Sequence, residues 1–137
     1  MEKLELKRYR ELRREIDKLE DRLLEVECEA TKITQTIKQD PVSGGGVPDK
    51  LANHVTTMVE IKDKINETIV ESLKEAHRIE MAIRRLEPVE RNLLRSRYIE
   101  GRSWEEICVE MCYSWRNIHN IHSRALIKLK ECTQLHT

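Results

Sequence analysis

The chain is 137 residues long, with 36% charged and 39% hydrophobic residues, three Tyr, two Trp, no Phe and a formal net charge of +0. That length allows one globular unit, or one small domain attached to an extended helical element, and it excludes a large core. A composition so rich in charge and poor in aromatics suits long solvated helices rather than a sandwich or barrel, so the expected class is all-α.

The N-terminal stretch MEKLELKRYR lacks an apolar core of signal-peptide length. No window approaches the roughly 18 apolar residues of a membrane span, so a cytoplasmic protein is expected, in a bacterial host cell given the resemblance described below. Cys28, Cys108, Cys112 and Cys132 are too few and too unevenly spaced for a secreted disulfide framework, and reduced thiols are expected. Between Glu2 and Asp40, ten Lys and Arg alternate with eleven Asp and Glu, the pattern of a solvated helix surface with i,i+4 pairs.

Within that segment Tyr9, Leu12, Ile16, Leu19, Leu23, Val26, Ala30, Ile33 and Ile37 recur at alternating steps of three and four, a coiled-coil seam that needs one partner stripe. A second run at helical spacing supplies it: Leu51, Val55, Met58, Ile61, Ile65, Ile69, Ser72, Ala76, Ile79, Ile83 and Leu86. Between the runs, Pro41 stops the first helix, Gly44, Gly45 and Gly46 permit a reversal, and Asp49 is placed to cap the second helix. No strand precedes these glycines and no Gly-Lys-Ser/Thr follows them, so a connector is favoured over a phosphate-cradling loop. The reading is an antiparallel helical hairpin over residues 1–86 with its connector at 41–48. Its seams serve as a rigid arm or, as favoured here, as a surface for homo-oligomerisation.

Beyond Leu86 the long period gives way to three short helices. Pro88 opens one that runs from Glu87 to Ile99 and ends at Gly101, continuing from Leu86 with no more than a kink. Ser103 caps a second over Trp104–Met111, with Glu106 as its capping-box partner. Ser114 caps a third from Trp115 to about Cys132, with Ile118, Ile121 or His122, Ala125 and Leu129 on its inner face. Two short helices joined by a tight turn, the second basic and polar at its start, have the spacing of a DNA-binding helix-turn-helix, here assigned to residues 87–137.

From Ser114 to Lys130, Arg116, Arg124, Lys128 and Lys130 occur with no acidic residue among them, so charge excluded by the whole-chain balance reappears locally. An α-helix fits the major groove, where Arg pairs bidentately with guanine and Asn with adenine. Trp115, Arg116, Asn117 and Asn120 are therefore the candidates for base readout, and Arg102, Ser114, His119, Ser123, Arg124 and Lys128 the candidates for phosphate contact. Trp104 is expected to pack between the first two short helices, and His122 to pack inside. The Cys108, Cys112, His119 and His122 spacing also admits a zinc reading, disfavoured because His119 is expected to face outward, away from Cys108. No metal, cofactor or catalytic arrangement is expected: the carboxylates fall in helix-surface patterns, and no nucleophile turn or phosphate-cradling motif is present.

The stretch LEPVERNLLRSRYIEGRSWEEICVEMCYSWRNIHNIHSRALIKLK resembles sigma-70 region 4 over roughly the last 45 residues, including ER near its start, RYIEG, EEI and IHSRAL-x-KL. With the preceding helical pair, the whole chain resembles the small RinA-like, ArpU-like or sigma-like late-gene regulators of phages. The resemblance implies promoter-DNA binding by a phage or prophage activator, with RNA polymerase as a further partner. Cys108 and Cys112 stand where the family usually has alanine and glycine. Cys112 in particular raises the expectation of a turn that differs in detail, because φ > 0 is costly for a residue with a Cβ. Two rival readings remain at this stage: a DNA-packaging recognition subunit of the small-terminase kind, and a module that grips polymerase or a sigma-like protein without touching DNA.

Overall fold

The computed structural model describes residues 1–39 and 46–135. Among these there are five α-helices and no strand: α1 (Lys3–Gln39), α2 (Gly46–Ile83), α3 (Pro88–Leu94), α4 (Trp104–Met111) and α5 (Trp115–Leu135). The reversal read at Pro41, Gly44 and Gly45 lies outside the described residues. Asp49 falls in the first turn of α2 rather than at its cap, because the helix already begins at Gly46; there its carboxylate still faces the positive end of the helix dipole. None of the described helices is long and apolar enough to cross a membrane.

The chain divides into two compact units, one of Arg13–Val70 and one of Met1–Leu12 with Glu71–Thr137. In the first, the two long helices run antiparallel and close on a narrow apolar seam of Ile16, Val26, Ile61 and Ile65, with Leu19, Leu23, Met58 and Ile69 packed against it. Such a seam follows from one apolar residue every three or four positions, which gives each helix a single buried stripe. Across it the His54 ring links the carbonyl of Lys50 (2.7 Å) to the carboxylate of Glu29 (2.9 Å). The hydrogen bond to the Lys50 carbonyl, followed by that to Glu29, raises the His54 pKa above its ordinary value. Val55, assigned to the seam by its spacing, is nearly half exposed at 46%, and Leu24, Val59 and Val70 also face outward.

The second unit has the larger core. Leu6, Ile79, Ile83, Leu86, Leu93, Leu94, Tyr98, Ile107, Ile118, Ile121, Ala125 and Leu129 form one continuous apolar cluster. Leu6, outside the stripe read from the sequence, is completely buried in it, as are Ile79 and Ile83. Exposed ion pairs of Arg8 with Glu71 (2.7 Å) and Arg78 with Glu5 (3.6 Å) fix the register of the two segments.

Residues 84–87 are non-helical, so α2 breaks before α3 instead of kinking into it. Pro88 at the start of α3 sets the break, since it supplies no N–H and restricts Glu87 to the extended conformation seen there (φ −65, ψ 154). Arg91 reaches back with its guanidinium to the carbonyls of Arg84 (3.4 Å) and Leu86 (3.2 Å), satisfying groups the broken helix leaves over. After Leu94 the same rod widens into a π-helical turn, Arg95–Ile99, which the sequence reading had as ordinary helix. Gly101 then terminates it at φ +71, with the Arg102 N–H bonded to the Ser96 carbonyl across the reversal (3.0 Å).

Candidate nucleic-acid interface

Both caps read from the sequence form. Ser103 Oγ accepts from the Glu106 N–H at 3.2 Å, and Ser114 Oγ accepts from the Asn117 N–H at 3.2 Å, so each helix begins where a short polar side chain replaces a missing carbonyl. Between them the chain turns through Cys112, whose φ of 57 and ψ of 37 are left-handed. The turn thus keeps the conformation a glycine there would serve, and cysteine bears the steric cost. Cys112 and Tyr113 donate their N–H groups to the carbonyls of Val109 and Cys108, closing the end of α4.

On α5 the inner stripe Ile118, Ile121, His122, Ala125 and Leu129 is buried. That leaves Arg116, Asn117, Asn120, Ser123 and Arg124 exposed on the other side, and Trp115 exposed at 52% in the first turn. Among the described residues, the side chains of Arg116, Asn117, Asn120 and Arg124 have no hydrogen-bond or ion-pair partner. Three of the base-readout candidates, Arg116, Asn117 and Asn120, therefore stand together on one free helix surface, with Ser114, Ser123 and Arg124 bordering it, while Trp115 lies against His119.

The other phosphate candidates are engaged within the protein. Lys128 Nζ bonds to Glu90 Oε1 at 2.5 Å, which raises the lysine pKa. Glu90 itself is buried in α3, with Oε2 lacking a partner. The Arg102 guanidinium is clasped between Glu100 (2.9 Å) and Glu110. Lys130, not itself a phosphate candidate but the last cation of the Ser114–Lys130 stretch, lies 4.0 Å from Glu2. These carboxylates come from the residues before α1, from α3, from α4 and from the loop before α4, so counting charges along α5 alone could not find them.

His119 differs most from its expected outward placement. Its ring is wedged between Trp104 (4.7 Å between centroids) and Trp115 (4.6 Å), and its Nε2 is buried without a partner. The cause is helical spacing: residue 119 follows Trp115 by one turn, and Trp104 of α4 covers the next position. Trp104 packs mainly on α5, through His119 and through His122 at 4.8 Å, while Arg97 of the π-turn lies over its indole at 4.5 Å. Inside, Tyr98 and His122 Nε2 share a hydrogen bond of 2.7 Å. Burial raises the Tyr98 pKa to about 12; burial, and then the charges of Lys3, His119 and Arg97, lowers that of His122 to about 4. Both rings are neutral at pH 7. Among the described residues, no three His, Cys, Asp or Glu side chains come together as a metal-holding group.

This arrangement positions one helix by two serine caps, a left-handed turn and an aromatic wedge, and leaves its polar face free. A search of curated proteins and a search of solved structures each gave no match to the chain. Residues 82–131 match the family model described as sigma-70, region 4, a DNA-binding regulatory domain. The segment that holds α3, α4 and the body of α5 is therefore similar to the sigma-70 region 4 helix-turn-helix.

Proposed function

We propose that the protein is a sequence-specific double-stranded DNA-binding transcription regulator, of the activator kind found in phages and prophages, with α5 as its recognition helix. The observation that carries this reading is the free surface of Arg116, Asn117, Asn120 and Arg124 at the start of a helix whose inner face is fully committed to the core. Arg116 and Asn120 lie one turn apart, about 6 Å along the axis, close to the roughly 6.8 Å spanned by two base-pair steps. Trp115 and Asn117 complete the base-reading set, while Arg124, Ser123 and Ser114 meet the backbone. Arg102 and Lys128 join only if DNA displaces their carboxylate partners, and His119, wedged between Trp104 and Trp115, does not join. The helical arm joins copies of the chain, and exposed Leu24, Val59 and Val70 supply apolar surface for that contact. RNA polymerase is the further partner that activation requires.

Selection of bound duplexes from a random library, followed by binding titrations over a salt series, tests the proposal. The Arg116→Ala, Asn120→Ala double variant should lose about 2–5 kcal/mol of preference for the selected site, while retaining the salt-dependent binding common to all duplexes. Equal binding of every sequence, unaltered in the double variant, would remove the sequence-reading function.

A further inference from the structure

In the first turn of α5 Ile118 is buried, whereas Trp115 stays 52% exposed despite a tilted ring contact with His119 on one side. His119 in turn makes a tilted ring contact with Trp104, and Trp104 carries the Arg97 guanidinium on its ring. Four groups from the π-turn, α4 and α5 thus form one continuous ladder of ring contacts, each step between 4.5 and 4.7 Å. Exposed tryptophans ordinarily sample several rotamers, and immobilising one on binding costs free energy. Here the ladder holds the indole before any ligand arrives. It also withdraws His119 Nε2 from solvent, so this position offers DNA an apolar plane rather than an imidazole.

Within the major groove, the 5-methyl group of thymine is the apolar feature of the base edges, and side chains distinguish it by van der Waals contact. An indole held beside Arg116, with no side-chain hydrogen bond among the described residues, matches that group in chemistry and location. We infer that Trp115 reads the 5-methyl group of a thymine in the bound site, from a plane held by the Arg97–Trp104–His119 ladder. Trp115 touches the base; His119 and Trp104 are positioning residues that act through it. The inference rests on α5 being the recognition helix, and it names which base feature this part of the helix selects.

The test replaces each thymine of the selected site, one at a time, by deoxyuridine, which removes the methyl group and leaves base pairing intact. For the full wild-type chain, one substitution should weaken binding about two- to fivefold, the effect of withdrawing one methyl group from an apolar contact. Trp115→Ala should bind the thymine and uracil duplexes equally, and Trp115→Phe should recover part of the difference. His119→Ala should reduce the discrimination while leaving the helix content and the Arg116-dependent preference in place, a pattern that loss of fold could not give. If no thymine is sensitive, or if Trp115→Ala keeps the wild-type discrimination, the inference is overturned, while a preference that still depends on Arg116 and Asn120 would leave the DNA-reading function standing. Absence of any sequence preference removes both.

Discussion

Lowering the pH isolates the contribution of one buried ring. His122 is held neutral in the core of the C-terminal unit, with its pKa at about 4 against an ordinary value of 6.5, chiefly because burial disfavours the imidazolium. A group whose folded pKa is depressed stabilises the fold fully above its unfolded pKa, and that stabilisation is lost as pH falls through the folded value. Between pH 7.5 and 4.5 the unfolded chain takes up nearly a full proton at this site and the folded chain only a fraction, which amounts to about 2.5 kcal/mol of lost stability. Carboxylates titrate over the same range, so the wild type alone is ambiguous. His122→Gln removes the titration and keeps a side-chain acceptor for the Tyr98 hydroxyl. Urea unfolding at the two pH values, followed by tryptophan fluorescence, gives the comparison. Both tryptophans, Trp104 and Trp115, lie in the unit that contains His122, so the signal reports that unit. The wild type should lose about 2 kcal/mol more than the variant between pH 7.5 and 4.5. Parallel losses would refute the assignment of a buried, neutral His122.

Two further outcomes use the same fluorescence assay. Cys112→Gly should stabilise the C-terminal unit by about 0.5–1 kcal/mol, because glycine relieves the left-handed strain at φ 57 and returns part of the gain as unfolded-state entropy; a net destabilisation would show that the cysteine side chain earns more in contacts than its backbone costs. Leu6→Ala should cost about 2–5 kcal/mol, since the residue is completely buried among Ile79, Ile83 and the helix-turn-helix residues, and an unshifted tryptophan transition would mean that the N-terminal residues are not part of that core.

What was legible in the sequence is what depends on near neighbours. Ser103 and Ser114 cap because their hydroxyls meet N–H groups three residues on, and Gly101 stops the π-turn because its own φ is positive. The inner stripe Ile118, Ile121, Ala125 and Leu129 follows from helical period alone. Features that depend on residues far apart were not legible. Leu6 lies more than seventy residues from Ile79, and nothing in its local pattern distinguishes it from exposed Leu4. Glu90 and Lys128 are separated by 38 positions, so an apparently free cation on α5 proved to be one half of an ion pair. The π-turn and the buried placement of His119 depend on how α4 lies over α5, which no single helix specifies.

The division of labour along α5 explains why its outward residues are unconstrained by folding. Stability comes from Ile118, Ile121, Ala125 and Leu129, all at or below 4% exposure, and from the neutral Tyr98–His122 pair beneath them. Position comes from the Ser114 cap, the left-handed Cys112 and the Trp104–His119 contact, each of which fixes the first turn without occupying its outer face. Arg116, Asn117 and Asn120 contribute to neither, and surface substitutions of that kind ordinarily change stability by no more than about 0.5 kcal/mol. Under the proposed function, a fold arranged in this way can exchange the residues assigned to base readout without unfolding. Lys128, Lys130 and Arg102 each face a carboxylate, so that, on the same proposal, Arg124 beside the base-reading Arg116 supplies most of the attraction of α5 to phosphate. Fewer free cations mean fewer displaced counterions and weaker binding to arbitrary duplexes. Under the proposed function, discrimination between sites then falls to the contacts assigned to the outward face of α5.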